Sequence, residues 1–225
     1  MHGTARLFDP LLEKLPRSLP AHTVSYPVDQ PFGYAELFPI VEELASKLGD
    51  FVVIGESFSG PLALMLAAKQ PKGLRGVVLC VSFIRGPFPI LKPFMANTPG
   101  WILRIRPRWL IDRWLLGRSY GTPVRTDLQE AIRIVSPDTL AARVRAIASV
   151  DVSAELRNCS GPILYLQAAS DWVVSPGSLK TIRSIRSDVR IVQIPGPHML
   201  LQAAPDECAK SITSFCEEAR QRSAE

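Results

Sequence analysis

Residues 51–70, FVVIGESFSGPLALMLAAKQ, join a short apolar run rich in β-branched residues to a longer alanine-rich one through a tight turn. The first run predicts a buried strand and the second predicts a helix. Ser57 lies between them, with Gly55 two positions before it and Ser59 two positions after it. Such a sharp turn needs small flanking residues, and it lifts the residue at its apex off the sheet. The chain must therefore adopt a fold that contains a strand–turn–helix unit.

Four further runs of the same kind predict strands at residues 22–26, 76–82, 162–168 and 189–194. These runs are continuously apolar, which is typical of parallel strands covered on both faces. Helical patterns lie at 34–48, 60–70 and 206–221. Strands that alternate with helices predict an α/β fold, in which helices flank both faces of a mostly parallel sheet.

The alternation stops between residues 88 and 150, where prolines separate short helical stretches at 108–116 and 126–149. We expect this segment to form a helical cap inserted into an α/β core made of residues 1–87 and 151–225. The positive charge of the chain is concentrated nearby, because residues 85–145 contain 11 Arg or Lys against 4 Asp or Glu.

Residues 101–116, WILRIRPRWLIDRWLL, carry three tryptophans and four arginines in an amphipathic pattern. One interpretation is a lid that contacts a membrane or lipid, or whose arginines meet an acidic acyl substrate. We favour the other, in which tryptophans and aliphatic residues pack over the core while the arginines are solvated. Nucleic-acid binding is not expected, because no recognition motif accompanies the basic residues.

Cysteine and histidine are too few and too scattered to predict a zinc site, and we expect neither a metal nor a cofactor. The four cysteines contain no C-x-x-C pair and are expected to be reduced, which favours a reducing compartment. No apolar run approaches the ~18 residues of a membrane span, and no signal-peptide pattern is present. We therefore expect a soluble, cytoplasmic protein.

Ser57 needs a neighbouring base to become a nucleophile, because a free serine hydroxyl is a weak one. The candidates are His2, His22 and His198. His198 is the strongest, since it follows the last predicted strand in a loop rich in Gly and Pro. In folds with parallel sheets, ligands bind and functional residues lie in the loops at the carboxyl ends of the strands.

The base must in turn be held in the correct tautomer by a carboxylate. Asp171 directly follows the strand at 162–168 and is the preferred candidate. Asp151 is the reserve, although it precedes its strand and would lie at the wrong end of the sheet. Asp206 is better explained as the N-cap of the last helix. For the developing oxyanion, the backbone N–H of Phe58 at the helix start is the first expected donor.

The chain order Ser57, Asp171, His198, the GESFSG turn, the D-x-V pattern from Asp171 and the PGPH loop together resemble the α/β-hydrolase superfamily over about residues 3–220. The resemblance implies an eight-stranded or reduced core and a helical cap after the sixth strand. It also implies hydrolysis of a small-molecule ester or thioester through an acyl-serine intermediate, without a cofactor.

The N-terminal pattern G-T-x-x-L-F, which begins at Gly3 and Thr4, resembles small esterase- or lipase-like members. This likeness makes Gly3 and Thr4 candidates for oxyanion or substrate contacts. It also leads us to expect a further strand, with the second oxyanion donor, upstream of Met1. Two alternatives use the same residues: a non-catalytic binding or scaffold protein, and an acyltransferase.

Overall fold

A four-stranded parallel sheet forms the centre of the fold. The structure, a computed structural model, describes residues 5–87, 91–104, 108–117 and 122–222. The strands are β1 (Phe51–Glu56), β2 (Leu74–Cys80), β3 (Ile163–Ala168) and β4 (Arg190–Ile194). The helices are α1 (Asp9–Leu12), α2 (Tyr34–Ser46), α3 (Ser59–Ala68), α4 (Lys92–Ala96), α5 (Arg108–Leu116), α6 (Thr122–Ile134), α7 (Pro137–Ser149), α8 (Ser153–Asn158), α9 (Pro176–Ile185), α10 (Leu200–Ala203) and α11 (Pro205–Gln221).

The strands lie side by side in chain order, β1-β2-β3-β4, and every pair is parallel. One apolar cluster packs the α1, α10 and α11 side of the sheet, and another packs the α3, α8 and α9 side. Both faces are therefore covered, which explains why the strands are continuously apolar. The predicted α/β fold with helices on both faces is confirmed.

The predicted strand at residues 22–26 is wrong, because this segment is irregular. In the part of the chain that the structure describes, no strand pairs with the outer edge of β1, so the segment has no ladder to join. Its β-branched and aromatic residues are used for packing instead. Val24 and Tyr26 lie in an apolar cluster with α2 and α3 residues such as Leu37 and Leu62.

The predicted helix at 126–149 is two helices, α6 and α7. The break falls at Ser136 and Pro137. The Ser136 side chain accepts a hydrogen bond from the Thr139 N–H at 3.1 Å, and Pro137 occupies the first turn of α7. Serine at the N-cap followed by proline at the first helical position is a start signal, so this break was readable in the sequence.

Helices α4 to α7 all lie between β2 and β3, in the segment expected to form a cap. Arg85 and Asp151, near the two ends of the segment, form an isolated β-bridge and an ion pair at 3.0 Å. The expected packing of the tryptophans over the core is wrong for Trp101 and Trp114, which are 64% and 53% exposed. Among the described residues, no helix has both the length and the apolar character needed to cross a bilayer.

Candidate active site

The turn between β1 and α3 holds Ser57 in a left-handed backbone conformation, with φ at +50°. Residues other than glycine rarely adopt this conformation, because the Cβ atom crowds the backbone. The turn is anchored on both sides. The Ser57 N–H donates to the Cys80 carbonyl at 2.9 Å, and the buried Ser82 hydroxyl donates to the Ser57 carbonyl at 2.8 Å. Such strain at a well-anchored position is typical of functional sites.

Small residues around Ser57 let α3 approach the sheet closely. A Cβ atom on Gly55 would lie 2.7 Å from both the Gly60 Cα and the Ser59 carbonyl oxygen. Because these are backbone atoms, they cannot move aside, and the expectation of a small residue at position 55 is explained. Ser59 is tolerated at its position, where its hydroxyl lies 3.2 Å from the Tyr26 hydroxyl.

The close approach at Gly60 leads to a stability prediction. A Cβ atom there would lie 1.8 Å from the Ser82 Oγ and 2.6 Å from the Ser82 Cβ. Gly60→Ala is therefore expected to lower the free energy of unfolding by about 1–3 kcal/mol, as overpacked substitutions do. Urea denaturation measures it. Gly49→Ala is the matched control, because no atom lies within 4 Å of its added Cβ. Equal unfolding free energies for both variants would contradict the prediction.

Phe58, the residue after Ser57, fixes the start of α3 through its side chain. The ring is fully buried, stacks on Tyr34 at 4.6 Å between centroids, and meets the edge of Tyr26 at 6.5 Å. Phe58 immediately precedes the first residue of α3, where backbone N–H groups lack intrahelical partners. Its N–H is therefore suited to donate a hydrogen bond to an oxyanion that forms beside Ser57.

His198 connects the other two candidate residues. It lies four residues beyond the end of β4, and it is almost completely buried. Its Nε2 atom is 2.8 Å from the Ser57 Oγ, and its Nδ1 atom is 3.0 Å from one oxygen of Asp171 and 3.1 Å from the other. The structure thus brings Ser57, His198 and Asp171 together in a continuous line of hydrogen bonds. In this arrangement the imidazole can accept the serine proton while the carboxylate stabilises the resulting charge.

Asp171 is held independently of His198 by the loop that follows β3. Its Oδ1 atom accepts hydrogen bonds from the Val173 N–H at 2.7 Å and from the Val174 N–H at 2.9 Å. These bonds fix the rotation of the carboxylate, whose two oxygens both lie within 3.1 Å of the His198 Nδ1. The D-x-V pattern noticed in the sequence is part of this turn.

Two further predicted carboxylates, Asp151 and Asp206, have partners other than His198. Asp151, the reserve acid, forms its ion pair with Arg85 and accepts from the Ser153 N–H, so it is not the partner of His198. Asp206 lies in the first turn of α11 and pairs with Lys14 at 2.9 Å, whereas the N-cap is Ala204; the predicted N-cap role is wrong. Gly3 and Thr4 lie outside the described residues.

All four cysteines are within the described ranges and are free thiols. Across those same ranges, no group of three or more His, Cys, Asp or Glu side chains is placed to hold a metal ion.

Sequence reasoning missed two residues next to Ser57. Ser82 follows β2 and supports the Ser57 carbonyl. Glu56 precedes Ser57 and accepts hydrogen bonds from α10. Glu56 could have been noticed, because a carboxylate at the end of a buried apolar strand is unusual. Its partners are about 145 residues away along the chain, and the sequence gives no signal that identifies them.

Comparison with curated proteins finds relatives that are named as esterases. The chain is 25% identical to the pimeloyl-[acyl-carrier protein] methyl ester esterase of Nitrosomonas europaea, over 87% of this chain and 85% of that protein. It is also 25% identical to the biotin biosynthesis bifunctional protein BioHC of Cellvibrio japonicus. That alignment covers 96% of this chain but only about half (47%) of the bifunctional protein.

Solved structures share the fold. A hydrolase from Oleispira antarctica superposes with a TM-score of 0.82 at 14% identity, over 96% of this chain and 88% of that one. An enol-lactonase from Burkholderia xenovorans superposes with a TM-score of 0.73 at 17% identity, over 95% and 87% of the two chains. The family model described as alpha/beta hydrolase family matches residues 1–211. The chain therefore belongs to the alpha/beta hydrolase family.

Proposed function

We propose that this protein is a serine esterase that cleaves a small-molecule ester or thioester through an acyl-serine intermediate. The observation that carries the proposal is the hydrogen-bonded line from Asp171 through His198 to Ser57, with 2.8 Å between the His198 Nε2 and the Ser57 Oγ. The strained turn beneath Ser57 and the esterase names of the relatives support it.

The reaction begins when the Ser57 hydroxyl passes its proton to the His198 Nε2 and its oxygen attacks the acyl carbon. The carbonyl oxygen becomes an oxyanion, which accepts a hydrogen bond from the Phe58 N–H. When this intermediate collapses, the imidazolium returns the proton to the leaving alkoxide or thiolate. Water, deprotonated by His198, then attacks the acyl-serine, and release of the acid restores the Ser57 hydroxyl. Asp171 holds the tautomer throughout.

The segment 88–150 is proposed to act as a cap next to this site. The Met199 N–H, one residue beyond His198, donates to the Leu115 carbonyl at 3.0 Å. Met199 also packs with Leu116 and Leu128 in one apolar cluster. These contacts support the proposal, because they bring α5 and α6 next to the segment that contains His198, where an apolar roof would suit the acyl part of a substrate.

The relatives' names specify a methyl ester, so esters of small alcohols are the first substrates to test. A series of methyl esters and matched methyl thioesters of increasing acyl length, monitored by release of the acid, would define the substrate class from kcat/KM. If the folded protein hydrolyses neither the esters nor the thioesters, the proposed chemistry is contradicted.

Labelling by a fluorophosphonate probe tests the nucleophile directly, because such probes modify activated serines. We expect a single adduct on the tryptic peptide that contains Ser57, and no adduct after heat denaturation. Ser59→Ala is the matched control: it removes the neighbouring hydroxyl, and labelling should persist. A folded protein without an adduct, or with its adduct on another residue, would refute the assignment.

A further inference from the structure

Glu56 occupies a position where the sheet favours an apolar side chain. It is the last residue of β1 and alternates onto the same face as Val52 and Ile54, which pack against a cluster that includes Leu200 and Leu201. Placing a carboxylate on such a face costs free energy unless hydrogen bonds or a nearby charge compensate. The fold therefore gives no reason for a carboxylate here, and its contacts must supply one.

Both oxygens of Glu56 accept hydrogen bonds from α10, the short helix that begins two residues after His198. The Leu201 N–H donates to Oε1 at 3.3 Å, and the Gln202 Nε2 donates to Oε2 at 3.0 Å. The Leu200 N–H in turn donates to the His198 carbonyl at 2.9 Å. Glu56 thus links the end of β1, directly before Ser57, to the segment that contains His198.

Glu56 also interacts with His198 through charge. Burial, the largest effect, raises the pKa of the Glu56 carboxyl group, and the positive charge of a protonated His198 acts to lower it. The interaction is mutual, so an ionised Glu56 stabilises the imidazolium. Within the described ranges, the Cys80 and Cys208 thiols also interact with Glu56. Burial raises both of their pKa values, that of Cys208 to about 12, so they stay neutral in an assay near pH 7.

We propose that Glu56 is a positioning residue for His198. It fixes α10 against β1, the strand that precedes Ser57, and it adds a second negative charge near the imidazolium. The proposal rests on the proposed function, in which His198 is the base. Asp171 supports the imidazole at Nδ1. Glu56 acts from β1, through the backbone beyond His198 and through its charge.

Glu56→Gln isolates the charge, because the new amide keeps the shape and can still accept from the Leu201 N–H. Its NH₂ group takes the place of Oε2, where it faces the Gln202 Nε2; once the Gln202 amide rotates by half a turn, the Gln202 Oε1, which has no partner among the described residues, can accept from it. Without the anion the imidazolium is less stable, so the acid limb of kcat/KM should move to lower pH. Glu43→Gln, at an exposed site, is the matched control and should leave the limb unchanged.

Glu56→Leu removes the charge and the hydrogen-bond acceptors together, so its difference from Glu56→Gln reports the hydrogen bonds; leucine has a similar volume and no acceptor for the Leu201 N–H. The plateau kcat should fall about tenfold to a hundredfold, the effect of a misplaced catalytic group, while KM changes less than twofold. Circular dichroism and thermal melting check the fold. If this variant does not fold, the acid limb of Glu56→Gln decides the question alone.

The outcomes separate this proposal from the one it rests on. If the fluorophosphonate probe does not label the folded wild-type protein, the proposed function is wrong, and the proposed role of Glu56 is wrong with it. A labelled wild type whose acid limb is the same in Glu56→Gln, with an unchanged plateau kcat in a folded Glu56→Leu, overturns only the role of Glu56. A shifted limb in Glu56→Gln and an unshifted one in Glu43→Gln support it.

Discussion

Replacing Ser57 by alanine is expected to lower kcat/KM for p-nitrophenyl acetate by about 10⁴- to 10⁶-fold, because the acyl-enzyme can no longer form. The residual rate reflects only oxyanion stabilisation and substrate binding. His198 and Asp171 lose none of their mutual contacts in this variant, so the loss should appear without a loss of fold. Steady-state hydrolysis, corrected for the uncatalysed rate, measures the effect.

The control for the Ser57 variant is Ser59→Ala, since both residues lie in the same turn and only Ser57 contacts the imidazole. Ser59→Ala should retain kcat/KM within about threefold, because it loses one hydrogen bond to Tyr26. If the two variants lost activity equally, the turn as a whole would matter and Ser57 would not be the nucleophile.

Asp171→Asn is expected to lower kcat by about 10⁴-fold while leaving the protein folded. The geometry explains the size of the effect. The Val173 and Val174 N–H groups donate to Oδ1, so they force the asparagine carbonyl oxygen into that position. The asparagine NH₂ group then takes the Oδ2 position, 3.0 Å from the His198 Nδ1. That nitrogen becomes an acceptor, the ring proton moves to Nε2, and the imidazole can no longer take the Ser57 proton.

Asp151→Asn is the control for the Asp171 variant, because Asp151 was the other acid that the sequence offered. It pairs with Arg85 at the exposed base of the 88–150 segment. Its removal should change kcat less than twofold, since exposed ion pairs contribute little. Burst kinetics with p-nitrophenyl acetate would follow acylation in both variants. Comparable losses in both would mean that Asp171 does not orient the base.

The sequence predicted the parts of the fold in which neighbouring residues carry the signal. The strand, turn and helix around Ser57 form one continuous segment, and the candidate residues follow β1, β3 and β4 in chain order. Because parallel strands place their carboxyl ends at one edge, these residues had to lie close together once the strands were known. Local pattern and topology were sufficient there.

The errors arise where the structure depends on what a segment contacts. Residues 22–26 have strand-like composition, yet a strand needs a neighbour with which to pair. The exposure of Trp101 and Trp114 could not be predicted, because the amphipathic pattern does not specify which element covers its apolar side. The role of Glu56 depends on a helix far away in the chain. None of these contacts is encoded within a short stretch of sequence.

The left-handed backbone at Ser57 has a consequence for how this position can evolve. Any residue with a Cβ atom is strained there by about 1–2 kcal/mol, and glycine would release that strain. The unfolding free energies of Ser57→Gly and the wild type would measure the difference. Backbone strain therefore favours glycine at this position, and the hydrogen bond between the Ser57 hydroxyl and the buried His198 opposes it. If Ser57 is the nucleophile, as proposed, related chains that hydrolyse esters should keep serine at this turn, and chains without that activity are free to carry glycine.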